Sequence, residues 1–283
     1  MKFTQSHKFG DRVVLIIAYV ILGLLLIWSL FPFYWMLATS VKPDAEMYRV
    51  NVTLIPQTFT GKHYYEILFD SPFPVQFRNS LIISVSTTFL SMAIGSLAAY
   101  GITRLEFKGR SLFSRVLIFG YLIPSTVLFI PIFALMQSIN LVNSVFSLIL
   151  AYLTFTVPFC TWLLISYFRT IPTDLDEAAL VDGASRLQAL FYIILPLSAP
   201  ALVVVALFSF TLSWNEFLYA LVLTTNQYSR TATVGINTML AEDVFFWGKM
   251  MAASVITAAP PVIMYFFSQK WVVGGLTLGG VKA

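Results

Sequence analysis

The chain has 283 residues, of which 58% are hydrophobic and only 11% charged, far below the roughly 25% charged residues of an ordinary soluble domain. That composition belongs to an integral membrane protein, and the formal net charge of +4 comes from basic residues flanking apolar runs rather than from a patch for nucleic acid. A single cysteine, Cys160, inside an apolar run excludes a disulfide framework or cysteine-based metal cluster, and two distant histidines, His7 and His63, argue against a paired-histidine metal site.

At the N-terminus, Lys2, Lys8 and Arg12 precede an uncharged run, Val13–Ala38, of 26 residues. This exceeds the roughly 7–15 residues of a cleavable signal core, so it reads as a retained first span. A loop of about forty residues follows (Thr39 to Arg78), containing Tyr48, Tyr64 and Tyr65. Uncharged stretches able to cross about 30 Å of hydrocarbon then recur at 79–103, 116–139, 142–168, within 197–225, and at 250–269. The runs are continuous rather than alternating, and lipid offers backbone groups no partners, so six transmembrane helices in one permease domain over 1–283 are expected. Pro124, Pro131, Pro158, Pro196 and Pro200 mark kinks, which suit pathway-lining helices but are also common in membrane helices generally.

Six spans place both termini on one side. With the N-terminus inside, the inner segments hold eleven of the seventeen basic residues: Lys2, Lys8, Arg12, Arg104, Lys108, Arg110, Arg115, Arg169, Arg186, Lys270 and Lys282. Both termini are therefore expected inside.

The inner segment between the fourth and fifth spans (170–196) reads TIPTDLDEAALVDGASRLQALFYIILP. Thr173 is a good N-cap, Asp176 completes a capping-box-like pattern, and Asp174, Asp176 and Glu177 place negative charge in a first helical turn. Gly183 is the natural stop, and Leu187, Leu190, Phe191 and Ile194 then have the spacing of one helical face. The expected element is two helices with a glycine joint, lying at the inner surface. Ala178 and Ala179 permit close approach of another surface, Leu175 and Leu180 supply apolar contact, and the acids can meet basic partners. Three acids and no base in the first turn favour docking on protein over docking on anionic lipid.

Glu177, Ala178, Ala179, Gly183, Ile193, Leu195 and Pro196 have the identities and spacing of the signature loop of binding-protein-dependent ABC importer permeases. The chain resembles that family over most of its length: SVKPDAEM, NSLIISVSTTFLSMAIGSLAAYGITRLEFKGR, FSFTLSWNEFLYALVL and the closing GLTLGGVKA are similar to carbohydrate-importer permeases, most of all the shorter, maltose-type inner-membrane subunit. The resemblance implies a type I ABC importer permease fold, an inner-membrane location, and a coupling role for Glu177, Ala178, Ala179, Asp182, Gly183 and Pro196. It further implies a second homologous permease subunit, two copies of an ABC ATPase and an extracytoplasmic sugar-binding protein, besides the lipid around the spans. No phosphate loop occurs, since Gly61-Lys62 is followed by His63 and Gly248-Lys249 by Met250. No catalytic constellation is present either, so no cofactor is expected on this chain and ATP with Mg is expected on the partner.

Trp214, Asn215 and Glu216 are candidate pathway residues, because an ionisable group in a span is costly unless it faces protein or water. Glu216 stands about 28 Å along a helix starting at Leu197, where outer-interface solvation is an equal alternative. In the outer loop Thr224–Trp247, Asn226, Gln227, Asn237, Glu242 and Asp243 resemble a segment that in the maltose importer reaches into the binding protein; composition alone says hydrated connector. Tyr48, Tyr64 and Tyr65 can seat the binding protein or form a structural platform. A permease for amino acids, phosphate or peptides is the near alternative, and an ion-coupled transporter or channel the more distant one.

Overall fold

The computed structural model describes residues 4–240 and 246–280, and among these the regular structure is helical. The first apolar run forms α1 (Thr4–Ser40), followed by two short helices, α2 (Asp44–Met47) and α3 (Lys62–Phe69). Next come α4 (Phe73–Arg104), α5 (Arg110–Leu122), α6 (Ser125–Ser138) and α7 (Val145–Phe168). The inner loop contributes α8 (Asp174–Val181), α9 (Arg186–Ala189), a π turn over Leu190–Ile194 and α10 (Leu195–Leu197). The chain continues as α11 (Ala199–Asn215), α12 (Leu218–Leu223), α13 (Ala232–Thr238) and α14 (Trp247–Gly280).

Four of the described helices, α1, α4, α7 and α14, are each long and apolar enough to cross a membrane, and two bent pairs bring the number to six if each pair is one span. The third apolar run is one of these pairs: α5 and α6 meet at 98°. The cause is Pro124, which lacks a donor and forces Ile123 into extended backbone (φ −68°, ψ 122°). The fifth run also departs from expectation. It joins Arg186–Leu197 to the helix ending near Trp214 at 82°, and α11 stops at Asn215 rather than continuing to 225. The second span begins at Phe73, six residues before the expected start, because an uncharged-run criterion halts at Arg78 although the helix does not.

Contacts divide the chain into two units. In the first, made of the described residues up to Ser71 with 246–256, α1 leaves its apolar surface open, as a lipid-facing helix does. Its end is anchored by buried Lys42, whose Nζ donates to the Thr53 carbonyl and lies 4.6 Å above the Trp35 ring. Buried Glu46 accepts from the Thr53 hydroxyl and the Gln57 amide, and Tyr64 shares a hydrogen bond with Ser40 at 2.8 Å. Tyr64 thus has a structural contact, while Tyr48 and Tyr65 are exposed.

The second unit, residues 72–240 with those from 257 onward, is built on α4, α7 and α11. A β-carbon on Gly95 would stand 2.9 Å from the Cys160 β-carbon, so α4 and α7 approach as only glycine allows. Alongside, Ser91 and Thr156 pair their hydroxyls at 2.6 Å, and Cys160 Sγ meets Ser209 Oγ at 2.9 Å. Small side chains therefore bring these helices together, with short polar links where lipid would leave such groups unsatisfied. One apolar cluster of the unit gathers Tyr100, Leu164, Phe168, Leu190 and Ile194, which roots the inner loop in the helices.

Candidate functional site

Thr173 does not cap α8 with its side chain; its backbone is itself helical (φ −67°, ψ −26°) and its carbonyl accepts from the amides of Asp176 and Glu177. Nor is Asp176 offered to a docking partner. It is buried, with Oδ2 2.6 Å from Arg104 Nε and Oδ1 accepting from the Tyr100 hydroxyl at 3.3 Å. The same guanidinium donates through Nη2 to the Ile171 carbonyl at 2.8 Å. An intrahelical role was expected for this acid because sequence spacing cannot reveal a cation brought in from the end of α4. Ala179 lies on the same buried side, whereas Asp174, Leu175, Glu177, Ala178, Val181 and Asp182 are exposed.

Gly183 ends α8 in the left-handed region at φ +85°. Its amide donates to Leu180 O at 3.1 Å and that of Ala184 to Ala179 O at 2.9 Å, the paired bonds of a Schellman stop. A capping box does occur, at the start of α9 rather than of α8: Ser185 N donates to Gln188 Oε1 at 2.7 Å and Gln188 N to Ser185 Oγ at 3.3 Å. Its Ser-x-x-Gln pattern was readable in the sequence. The second helix then widens into the π turn just before Pro196, whose ring would crowd the carbonyl four residues back in a regular α-helix. This alters the expected face: Leu190 and Ile194 are buried, but Leu187 and Phe191 are exposed. A cleft of about 910 Å³ opens beside the element, with Arg104, Arg110, Arg186, Glu106, Asp176 and Glu177 among its lining residues.

The three candidate pathway residues separate. Trp214 is packed inside the unit, edge-on to Phe77 at 5.7 Å, stacked on Phe210 at 5.4 Å, and donating Nε1–H to Thr257 O at 3.1 Å. Asn215 is exposed. Glu216 sits at the break after α11, where Oε1 accepts from Tyr219 N at 2.9 Å and Oε2 from Ala220 N at 3.1 Å and Tyr152 OH at 2.8 Å. It satisfies the first-turn donors of α12.

Asn226, Gln227 and Asn237 are exposed; Glu242 and Asp243 lie outside the described residues. The loop carrying the first two is held from α4, with Gln76 Nε2 donating to Gln227 O at 3.0 Å and Asn79 Nδ2 to Tyr228 O at 2.8 Å. Gly235 leaves the space that Gln76 occupies. A second anchor, absent from the sequence reading, is Asn143: at φ +64° its Oδ1 accepts from Thr225 N at 2.6 Å and Asn226 N at 3.1 Å. A non-glycine residue in a turn that tolerates positive φ was its only sequence signal.

Residues 91–277 match the family described as "Binding-protein-dependent transport system inner membrane component". The chain is 40% identical over 276 residues to the trehalose/maltose transport system permease protein MalG of Thermococcus litoralis, covering 96% of this chain and 97% of that one. It is 39% identical over 263 residues to the inner membrane ABC transporter permease protein YcjP of Escherichia coli (92% and 94% covered). To the sulfoquinovosyl glycerol transport system permease protein SmoH of Agrobacterium fabrum it is 37% identical over 264 residues (93% of each). Its fold is that of a chain in the crystal structure of a bacterial ABC transporter involved in import of the acidic polysaccharide alginate: TM-score 0.78 at 24% identity, covering 92% of this chain and 97% of the other. A second alginate transporter structure, in complex with a pentasaccharide-bound periplasmic protein, gives a TM-score of 0.69 at 15% identity (94% and 95% covered).

Proposed function

The chain belongs to the family of binding-protein-dependent transport system inner membrane components, and from that premise we propose that it is one membrane-spanning subunit of an ATP-driven importer for a sugar or oligosaccharide. The solute is delivered by an extracytoplasmic binding protein, a second homologous permease completes the pathway, and two copies of a separate ATPase supply the energy. Relatives named for trehalose/maltose and sulfoquinovosyl glycerol transport support the carbohydrate class. The alginate transporter bound to a loaded periplasmic protein supports delivery by such a protein.

The observation that carries the reading is the inner element from Asp174 to Pro196. Its exposed Glu177, Ala178 and Asp182 lead into the left-handed stop at Gly183, while its other side is fixed to the membrane helices by Asp176 and Leu190. One side is free for the ATPase, and the other is held to the helices that must move. ATP drives the cycle by binding one arrangement of the complex more tightly than the other, since equal affinity shifts nothing.

The test is purification through a tag on this chain, identification of the proteins that accompany it, and assay of ATP hydrolysis with and without loaded binding protein. Expected are an ATPase, a second permease, and stimulation by the binding protein that is lost in Gly183→Val and Glu177→Lys. A chain that purifies alone and moves solute in liposomes without ATP would overturn the reading.

A further inference from the structure

α4 is ion-paired at its inner end to the element that the proposed function places against the ATPase, and hydrogen-bonded at its outer end to the loop that follows α12. At its inner end, Arg104 is ion-paired to Asp176 of α8 at 2.6 Å, with side-chain exposures of 5% and 3%. The Arg104 guanidinium also holds the Ile171 carbonyl, and Tyr100, one turn earlier on α4, donates to the same aspartate. At its outer end, Gln76 and Asn79 donate to the carbonyls of Gln227, Tyr228 and Arg230, and Ser80 Oγ accepts from Ala232 N at 2.9 Å. Between these ends lies a single helix of 32 residues, about 48 Å long at 1.5 Å per residue. Its one proline after the N-cap, Pro74, stands in the first turn, where no intrahelical donor is required.

The two routes that follow the backbone away from the inner loop are jointed. Forward along the chain lie the left-handed Gly183, a π turn and the 82° bend. Backward lie a turn at Arg169–Ile171 and then α7, which contains Pro158. A buried ion pair resists partial separation, because each charge without the other is left uncompensated.

We propose that α4 is the connecting rod of this subunit: displacement of α8 is transmitted through Arg104–Asp176 along α4 to the outer loop 227–232. Arg104 and Asp176 are the inner positioning residues, and Gln76 and Asn79 the outer ones. The inference rests on reading 174–196 as the contact with the ATPase.

The experiment measures ATP hydrolysis by the complete purified complex in lipid discs, with and without loaded binding protein, and compares the ratio of the two rates. Arg104→Asp and Asp176→Arg are each expected to lower the ratio by about five-fold or more, the lower range of typical site-to-site coupling. Combining both exchanges is expected to restore much of it, which loss of a merely structural contact with either residue alone would not predict. At the far end, Gln76→Ala together with Asn79→Ala is expected to lower the ratio with the inner clamp untouched. This outer variant decides the matter even where a single inner exchange prevents assembly. An unchanged ratio in the outer variant, or a combined exchange no better than an assembled single one, overturns the inference. Gly183→Val serves as the control: if it loses stimulation while the clamp and outer variants keep it, the rod alone fails; if it also keeps stimulation, the reading of the loop fails with it.

Discussion

The Tyr152 hydroxyl donates to Glu216 Oε2 at 2.8 Å, tying α7 to the break at which α11 ends. With two backbone amides of α12 on the same carboxylate, Glu216 holds three donors at once. Glu216→Ala is expected to destabilise the protein by roughly 1–3 kcal/mol, since hydrogen bonds to a charged group contribute more than neutral ones and their donors are left unmatched. Glu216→Gln retains one acceptor oxygen and should lose less. Unfolding midpoints of the purified complex check this, and an Ala variant as stable as the parent would contradict the capping role.

At Gly183 the requirement comes from the backbone rather than from crowding within this chain: φ is +85°, and a β-carbon there would meet nothing within 4 Å. A branched residue pays of order 1–3 kcal/mol to hold that conformation, whereas asparagine enters it more readily. Uptake by Gly183→Asn is accordingly expected to exceed uptake by Gly183→Val at matched amounts of inserted protein. Equal loss in both would assign the glycine requirement to the surface that docks there.

Asn143 offers a clean separation of backbone from side chain. Asn143→Gly keeps the positive φ but removes the acceptor for Thr225 and Asn226, while Asn143→Asp keeps both. Each lost bond is worth about 1 kcal/mol. Amide exchange at 225 and 226 should therefore quicken by several-fold in the Gly variant and little in the Asp variant; identical rates in all three proteins would refute the anchoring role.

A pH dependence follows from Glu46, which lies in α2 between the first two spans. Its carboxyl is held below the ordinary carboxylate range by the Thr53 hydroxyl and the Gln57 amide, with smaller help from the Thr58 amide and the Lys42 charge. A group whose folded pKa is lowered contributes stability above the ordinary carboxylate range and loses it as pH falls through the folded value. The gap in unfolding midpoint between the parent and Glu46→Gln is thus expected to be widest near neutrality and to close on acidification. A gap that grows as pH falls would have the wrong sign.

The apolar runs were legible as membrane spans because hydropathy reports which residues tolerate lipid. Their directions were less so: the same property cannot distinguish the straight α4 from the pair α5 and α6, and only Pro124 hinted at the 98° bend. The fifth run ended early because Glu216, read as a solitary ionisable group, is occupied by donors from Tyr152, Tyr219 and Ala220.

The inner loop was legible to its glycine, whose left-handed stop appears where the spacing put it. Its polarity was misread at one acid. Asp176 looks no different in sequence from Asp174 or Glu177, and only the arrival of Arg104 and Tyr100 from α4 makes it an internal residue. Gln76 and Asn79 were missed for the same reason, since their partners are carbonyls distant in the chain.

Cys160 is the chain's one thiol, and it lies wholly buried beside Gly95 and Ser209. Water-soluble alkylating reagents are shut out of that position in the folded protein. The natural sequence is therefore already a silent background for spectroscopic tags: a cysteine introduced at the exposed Asp182 or Asn226 would take the label, and the native sulfur need not be engineered away.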